Sequence, residues 1–423
     1  MTTTTLPSPR MAGTVIKRKR IESIDLLRGI VMIIMALDHT RDYFHWTAFR
    51  YSPTDLSHTT VAIFFTRFIT HYCAPIFVFL AGVSAYLYGA KKSKKALSRF
   101  LITRGIWLVF VELFIVSLFR TFNPLFPFCN LQVIWAIGIS MIVLAACIYL
   151  NRQWLLFITL FILLTHNLFD TIHVPGNGAG AFIWALLHDA KIFTYGPFTV
   201  YVHYPLIPWI GIMLAGYYFG YFYTLQYDAV KRKKILLFTG ISAIGLFIIL
   251  RSGNIYGDAD YWSVQKNAMF TVLSFFNVTK YPPSLQYTLI TLGPGLIFLS
   301  FAESMGSTLR SCQIAIGPAQ GKLHKASQVI KCFGRVPMFY YLAHILLIHI
   351  LAVIAAWLSG YTFNDMVLHG GVNAEPALKG FGFPLIVVYV VWMLVVVLLY
   401  PLCKMFDRYK IENGQRKWWL SYV

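Results

Sequence analysis

Residues 21–44 read IESIDLLRGIVMIIMALDHTRDYF. The stretch is apolar enough to cross a bilayer, yet it carries Asp25, Arg28, Asp38, His39 and Asp42. On a helix, at about 100° per residue, those five side chains fall within an arc of roughly 140°, with Met32 and Met35 between them. Leu26, Ile30, Ile33, Ile34 and Leu37 take the opposite side. Charge is costly in hydrocarbon, so the polar arc must face protein or water, and the Leu/Ile face must meet lipid or packed helices. Asp25 and Arg28 sit near one end, Asp38 and His39 near the other, on the order of 20 Å apart along the axis. A polar seam thus runs through the depth of a membrane.

Outward from this seam the composition agrees. Of 423 residues, 58% are hydrophobic and only 12% charged, against about 25% charged in soluble domains; the mean hydropathy is +0.64. The expected fold class is all-α, a polytopic membrane helical bundle of about ten transmembrane helices. The spans run roughly 23–42, 66–90, 101–120, 131–150, 154–170, 203–223, 235–251, 284–304, 336–358 and 382–403. Residues 1–20 read as a basic cytoplasmic tail, 21–405 as the transmembrane domain and 406–423 as a second cytoplasmic tail. The basic run Lys17-Arg18-Lys19-Arg20 resembles a signal-peptide start, but no small-residue cleavage site follows, so an uncleaved first span is expected.

A net charge of +20 raises the possibility of nucleic acid. The basic residues come instead in short clusters beside the spans, as membrane topology places them, so no nucleic-acid partner is expected. With alternate loops assigned to one side, 27 of the 36 basic residues fall on the side of the termini, leaving Arg41, Arg50, Arg67, Arg120, Lys191, Arg251, Lys266, Lys280 and Lys379. That bias puts both termini in the cytoplasm, in what would be a bacterial inner membrane. Histidine is distributed the other way. Of twelve, only His324 falls in a cytoplasmic loop and nine lie in outer loops or at outer span ends, which points to proton transfer or polar-ligand binding near the outer face. Six scattered cysteines form no CxxC and imply neither a disulfide framework nor a zinc site.

Several groups carry candidate chemistry. Asp38, His39 and Asp42 stand at i,i+3 and i,i+4 spacings at the outer end of the first span. Arg67 and His71 open the second, followed by Pro75, which removes a backbone hydrogen bond and should loosen the turn around His71. A carboxylate beside an imidazole fixes its tautomer and raises its basicity, as a general base or nucleophile requires. The bland alternative is that these groups only tie helices together. Glu112, nearly central in the third span, is either functional or paired with an arginine of another span. His344 and His349, about 140° apart on the ninth, read as polar core contacts. His166, Asn167 and Asp170 repeat the outer His/Asp theme on the fifth. His39, Asp42 and His45 make a poor metal set, because the two histidines would stand about 120° apart on a helix; no metal is expected. Residues 171–204 are too interrupted to span securely and read as a cap over an outer cavity, while 305–332 read as a polar linker.

SIDLLRGIVMIIMALDH, THYCAPIFVFLAGVSAYL, KKSKKALSRFLITRG, TKYPPSLQYTLITLGP and FGRVPMFYYLAHILLIH resemble bacterial membrane proteins related to heparan-α-glucosaminide N-acetyltransferase. The resemblance covers residues 21 to about 350 and implies transfer of an acetyl or similar acyl group from cytoplasmic acyl-CoA to an acceptor, often a sugar or glycan, at the opposite face. Asp38 falls where that acetyltransferase has an active-site asparagine, and His71 where it has an active-site aspartate. His45 and His58 are the candidates for its loop histidine. The expected catalytic centre is His71 with Asp38, assisted by His39. The expected binding site for acetyl-CoA or another acyl-CoA is Arg28 with Lys92, Lys95, Arg99 and Arg104 at the inner mouth of the seam, and membrane lipids surround the whole. The alternative is a multi-pass exporter of a glycan or small polar solute. Exporters of this kind usually show repeated halves with broken midplane helices, and this sequence shows no internal repeat.

Overall fold

The computed structural model describes residues 21–311, 318–414 and 416–421; the basic tail at 1–20 lies outside them. In chain order come α1 (Glu22–Phe44), α2 (Val61–Thr70), α3 (Cys73–Gly89) and α4 (Lys94–Phe110), the last continuing through a π-helical segment, Val111–Val116, into α5 (Ser117–Thr121). After β1 (Phe128–Leu131) follow α6 (Val133–Cys147), α7 (Arg152–Thr165), α8 (Ala179–Leu187), β2 (Lys191–Tyr195) and β3 (Phe198–Val202). The remainder is α9 (Leu206–Gly220), α10 (Ala229–Gly253), α11 (Ala268–Phe276), α12 (Leu285–Ser311), α13 (Pro318–Arg335), α14 (Pro337–Leu358) and α15 (Leu385–Asn413).

Each of the ten expected spans coincides with helix. Among the described residues, seven helical segments are long and apolar enough to cross a membrane: Val61–Gly89, Lys94–Thr121, Arg152–Phe169, Ala229–Gly253, Leu285–Glu303, Pro337–Leu358 and Leu385–Asn413. The other three are α1, which carries more charge than such a segment, and α6 and α9, which are 15 residues each. The protein is thus a helical membrane protein, with seven qualifying segments among the described residues.

The seam helix lies at the centre. α1 packs against α2, α3, α12, α13, α14 and α15, and on its Leu/Ile side the indole of Trp392 donates to the Ile33 carbonyl at 2.8 Å. Close approach depends on glycine. A Cβ on Gly334 would stand 1.9 Å from the Asp25 carbonyl oxygen, and one on Gly29 2.0 Å from that of Ile330. Backbones this close gain dispersion that lipid-facing leucines cannot provide. The described residues of the expected polar linker at 305–332 are helical, the end of α12 and most of α13, which includes Gly334; 312–317 lie outside the described residues. In α13, Cys332 and Phe333 are buried against α1, so the segment is an amphipathic helix that the polar residues around it disguise.

The expected loosening at Pro75 is present in a specific form. α2 ends at Thr70, His71 and Tyr72 form the break, and α3 begins at Cys73. Proline has no N–H to offer the carbonyl four residues back, which is that of His71. The hydroxyl of Tyr287 donates to that carbonyl instead, at 2.8 Å.

The expected cap is present, but it contains a sheet. β1 pairs parallel with β3, which pairs antiparallel with β2 through a turn at Gly196. A second connecting segment is held by Arg251, 1% exposed, which donates to the carbonyls of Asp260, Ser274, Phe275 and Asn277 at 2.7–3.0 Å. That burial explains one cation on the less basic side without any functional role.

Candidate active site

A cavity of about 880 Å³ lies where the Asp38–Asp42 end of the seam meets these caps. Asp38, His39, Arg41 and Asp42 reach it from α1, Arg67 from the last turn of α2, His71 from the α2–α3 break, and Glu112 and Arg120 from the third span. Phe128, Asn130, Ile192, Thr199 and Tyr201 reach it from the sheet, and His203, Lys280 and Tyr281 from the following loops. The three residues expected to form the catalytic centre therefore share one chamber. Arg28, Lys92, Lys95, Arg99 and Arg104 do not line it. Arg28 instead ties three helices together, donating to Ser84 Oγ at 2.8 Å and the Gly334 carbonyl at 3.3 Å beside Asp25 at 3.7 Å. Lys92 bonds the Tyr88 hydroxyl at 2.8 Å, Arg104 stacks over Phe100, and Lys95 and Arg99 are exposed on α4.

The seam's polar groups are spent in two networks. Asp38 accepts from Arg67 Nη1 at 2.5 Å through one oxygen and faces Arg41 Nη2 at 3.0 Å through the other. Its carboxylate is thus held by arginines, not by the imidazole of His71. The second network is directional. His344 Nδ1 lies 2.7 Å from the Tyr340 carbonyl and must carry the proton. Its Nε2 is then a lone pair, which receives the Nδ1–H of His39 at 2.7 Å. His39 Nε2 in turn accepts from Arg120 Nη2 at 3.0 Å. Tautomers are assigned by this donor–acceptor logic. His39 is consequently a neutral relay whose free lone pair is already taken.

His71 differs. It is 4% exposed, lines the cavity and has no ring hydrogen bond among the described contacts; its Nδ1 is buried without a partner. Tyr287 meets the ring edge-on at 5.5 Å and Phe68 lies at 6.1 Å. An unengaged imidazole on a cavity wall is available to take a proton.

Other groups complete the chamber. Lys280 and Tyr281 bring a cation and a phenol, and Arg67 Nη2 donates to the Tyr281 oxygen at 3.4 Å. Burial alone would raise the Tyr281 phenol, but Lys280, Arg67 and a hydrogen bond from Tyr204 outweigh it and hold it below its ordinary value. Arg41, Arg67, Arg120 and Lys280 are four of the nine basic residues that break the positive-inside pattern. Their clustering is the signal that points to them, since each is costly where topology does not favour it. Neither His45 nor His58 lines the cavity. His45 Nδ1 bonds Thr47, and burial, with Arg41 nearby, pushes the imidazole down to about 4; His58 is exposed and pairs with Asp55 at 2.9 Å.

Glu112 is neither free nor simply paired with an arginine. Its Oε2 accepts the backbone N–H groups of Ile134 and Trp135, at 2.9 and 3.1 Å, capping the first turn of α6 from a neighbouring helix. Glu112→Ala strands both donors and should cost about 1–3 kcal/mol in a denaturation midpoint. Glu112→Gln keeps an acceptor oxygen and should recover most of the loss.

The catalytic-domain family model of heparan-α-glucosaminide N-acetyltransferase matches residues 20–252, just over half of the chain. The chain belongs to this family. The matched segment of this acetyltransferase relative holds Asp38, His39, Arg67, His71, Glu112 and Arg120, whereas Lys280 and Tyr281 enter the chamber from beyond it and His344, also beyond it, supports His39 from behind the wall. No curated protein matches the sequence.

Proposed function

We propose that the protein is an acyl-CoA-dependent acyltransferase that carries an acyl group, most simply acetyl, from cytoplasmic acyl-CoA to the hydroxyl or amine of a sugar or glycan at the outer face, with both termini in the cytoplasm. The observation that carries this reading is the unengaged His71 imidazole on the wall of a cation-lined chamber, within a chain of an acetyltransferase family. The acceptor O–H or N–H gives its proton to His71 as its oxygen or nitrogen attacks the thioester carbonyl. The resulting oxyanion develops near Arg67, Arg120 and Lys280, whose charges favour it. Collapse breaks the C–S bond, and the His71 imidazolium returns the proton to the departing thiolate as free CoA forms. Asp38 acts through Arg67, holding that guanidinium at the chamber wall, and the Tyr340–His344–His39 chain does the same for Arg120.

Purified protein incubated with radiolabelled acetyl-CoA and a panel of amino sugars and glycans should yield labelled acceptor. A panel that stays unlabelled while the same compounds are carried across a vesicle membrane would favour an exporter.

CoA phosphates are assigned to the basic inner end of the seam, at Arg28 with Lys92, Lys95, Arg99 and Arg104. Loss of one charge-assisted contact is worth about 1.5–3 kcal/mol, so Arg28→Gln should weaken CoA binding about tenfold or more in calorimetry. Unchanged affinity would remove Arg28 from that site.

A further inference from the structure

A second cluster stands apart from the chamber wall just described. At the end of α7 are His166 and Asp170, and at the end of α8 is His188. One ligand-type atom from each lies within 4.8 Å of the other two. His166 and His188 are 1% and 2% exposed. His188 Nε2 lies 2.9 Å from Asp170 Oδ1, but both ring nitrogens of His166 and the Nδ1 of His188 are buried without a hydrogen-bond partner. A buried polar group left without a partner is destabilising, and hydrogen bonding within the cluster satisfies only one side of it.

We propose that His166, Asp170 and His188 bind a divalent first-row transition-metal ion of the zinc class. Two imidazoles and one carboxylate are a donor set suited to such an ion, and three protein ligands leave a fourth position open. Ligand atoms around a tetrahedral zinc stand about 3.4 Å apart, so small side-chain rotations close the set. The surroundings support the carboxylate as a ligand. Asn167 Nδ2 donates to the other oxygen, Asp170 Oδ2, at 2.7 Å, and Asn167 Oδ1 accepts the Leu285 backbone N–H at 2.9 Å. That is the outer-shell support ligating carboxylates use. The rings of Phe169 and Trp184 pack on His188 at 5.9 and 6.0 Å. Beside the cluster a pocket of about 200 Å³, lined by Asp170 and His188, supplies room for a water or small anion at the open position. The same pocket is walled by Thr279 and Tyr281, which also line the large chamber. The bound ion would pin α8 to α7 and, through Asn167, to α12, fixing the cap over the chamber. This site goes beyond the acyltransfer reading and does not depend on it.

The test uses full-length protein stripped with a chelator, re-exposed to Zn²⁺ and assayed for bound metal after gel filtration, with Co²⁺ as a spectroscopic substitute. Wild type should retain a single equivalent of Zn²⁺, show tetrahedral cobalt absorption and gain thermal stability on metal addition. The double variant His166→Ala/His188→Ala should lose the equivalent. His173→Ala, whose imidazole sits on the pocket rim 3.3 Å from Asp189, should keep it. Should the double variant fail to fold, the wild-type measurements decide alone. Stripped wild type that takes up no stoichiometric metal, or a folded double variant that retains it, overturns the proposal.

Discussion

His71→Ala should cut acyl transfer by about a hundredfold or more, the usual worth of a positioned acid/base group, and leave both the elution profile and CoA affinity unchanged. The expectation rests on the contrast of His71 with the His39–His344 relay; His203, a chamber histidine whose Nδ1 is also buried without a partner, packs its ring on Tyr201 and Tyr281. His39 and His344 have their lone pairs occupied in a chain that ends on Arg120, whereas His71 has none occupied among the described contacts. The His71 ring makes no side-chain hydrogen bond that alanine would strand, and Tyr287 bonds the His71 backbone carbonyl, which the substitution keeps. The structural cost should therefore stay small beside the kinetic one. His39→Ala should lose less turnover than His71→Ala, because its effect passes through the placement of Arg120. Turnover in His71→Ala near that of wild type, or lost only with unfolding, would show that His71 merely ties the α2–α3 break to its neighbours.

Arg67→Ala should be the most destabilising single change in the chamber. Asp38 and Arg67 are each 13% exposed, and breaking a buried ion pair from one side leaves an uncompensated charge at about 3–5 kcal/mol. Arg41 remains 3.0 Å from the carboxylate but also serves Asp42 at 2.6 Å, so the lower end of that range is expected. Removing both charges at once, as in Asp38→Leu/Arg67→Met, should recover most of the stability while activity stays lost, since the pair's stability and its role in aiming Arg67 are separate quantities. A chemical denaturation series in detergent reads the first, and turnover reads the second. Additive losses in the double variant would mean that the two side chains do not interact.

The seam was legible from residues 21–44 because charge in a 24-residue apolar stretch has few tolerable placements, and Pro75 foretold the break at His71 because proline's missing N–H is a local fact. The chamber's other half was not. Arg120 and Lys280 sit far apart in sequence, and only the fold brings them beside Asp38 and His39. His344 read as a core contact because its partner, His39, lies 305 positions away. Glu112 reads as either a functional carboxylate or an arginine's partner, since nothing local shows that α6 begins at its carboxylate. The β2–β3 hairpin did leave a trace: KIFTYGPFTVYV carries β-branched and aromatic residues around a Gly-Pro turn, a strand signal hidden among apolar helices. α13 escapes the sequence reading because lysine, glutamine, histidine and glycine interrupt its apolar residues, leaving no continuous apolar run.

The most direct test is sided. Protein reconstituted in vesicles, with labelled acetyl-CoA on one side and the acceptor confined to the other, asks whether the acyl group crosses through the seam to the chamber. Label on the separated acceptor, dependent on His71, is the expected result. Label only when donor and acceptor share a side, or none at all with an acceptor the protein binds, would contradict it.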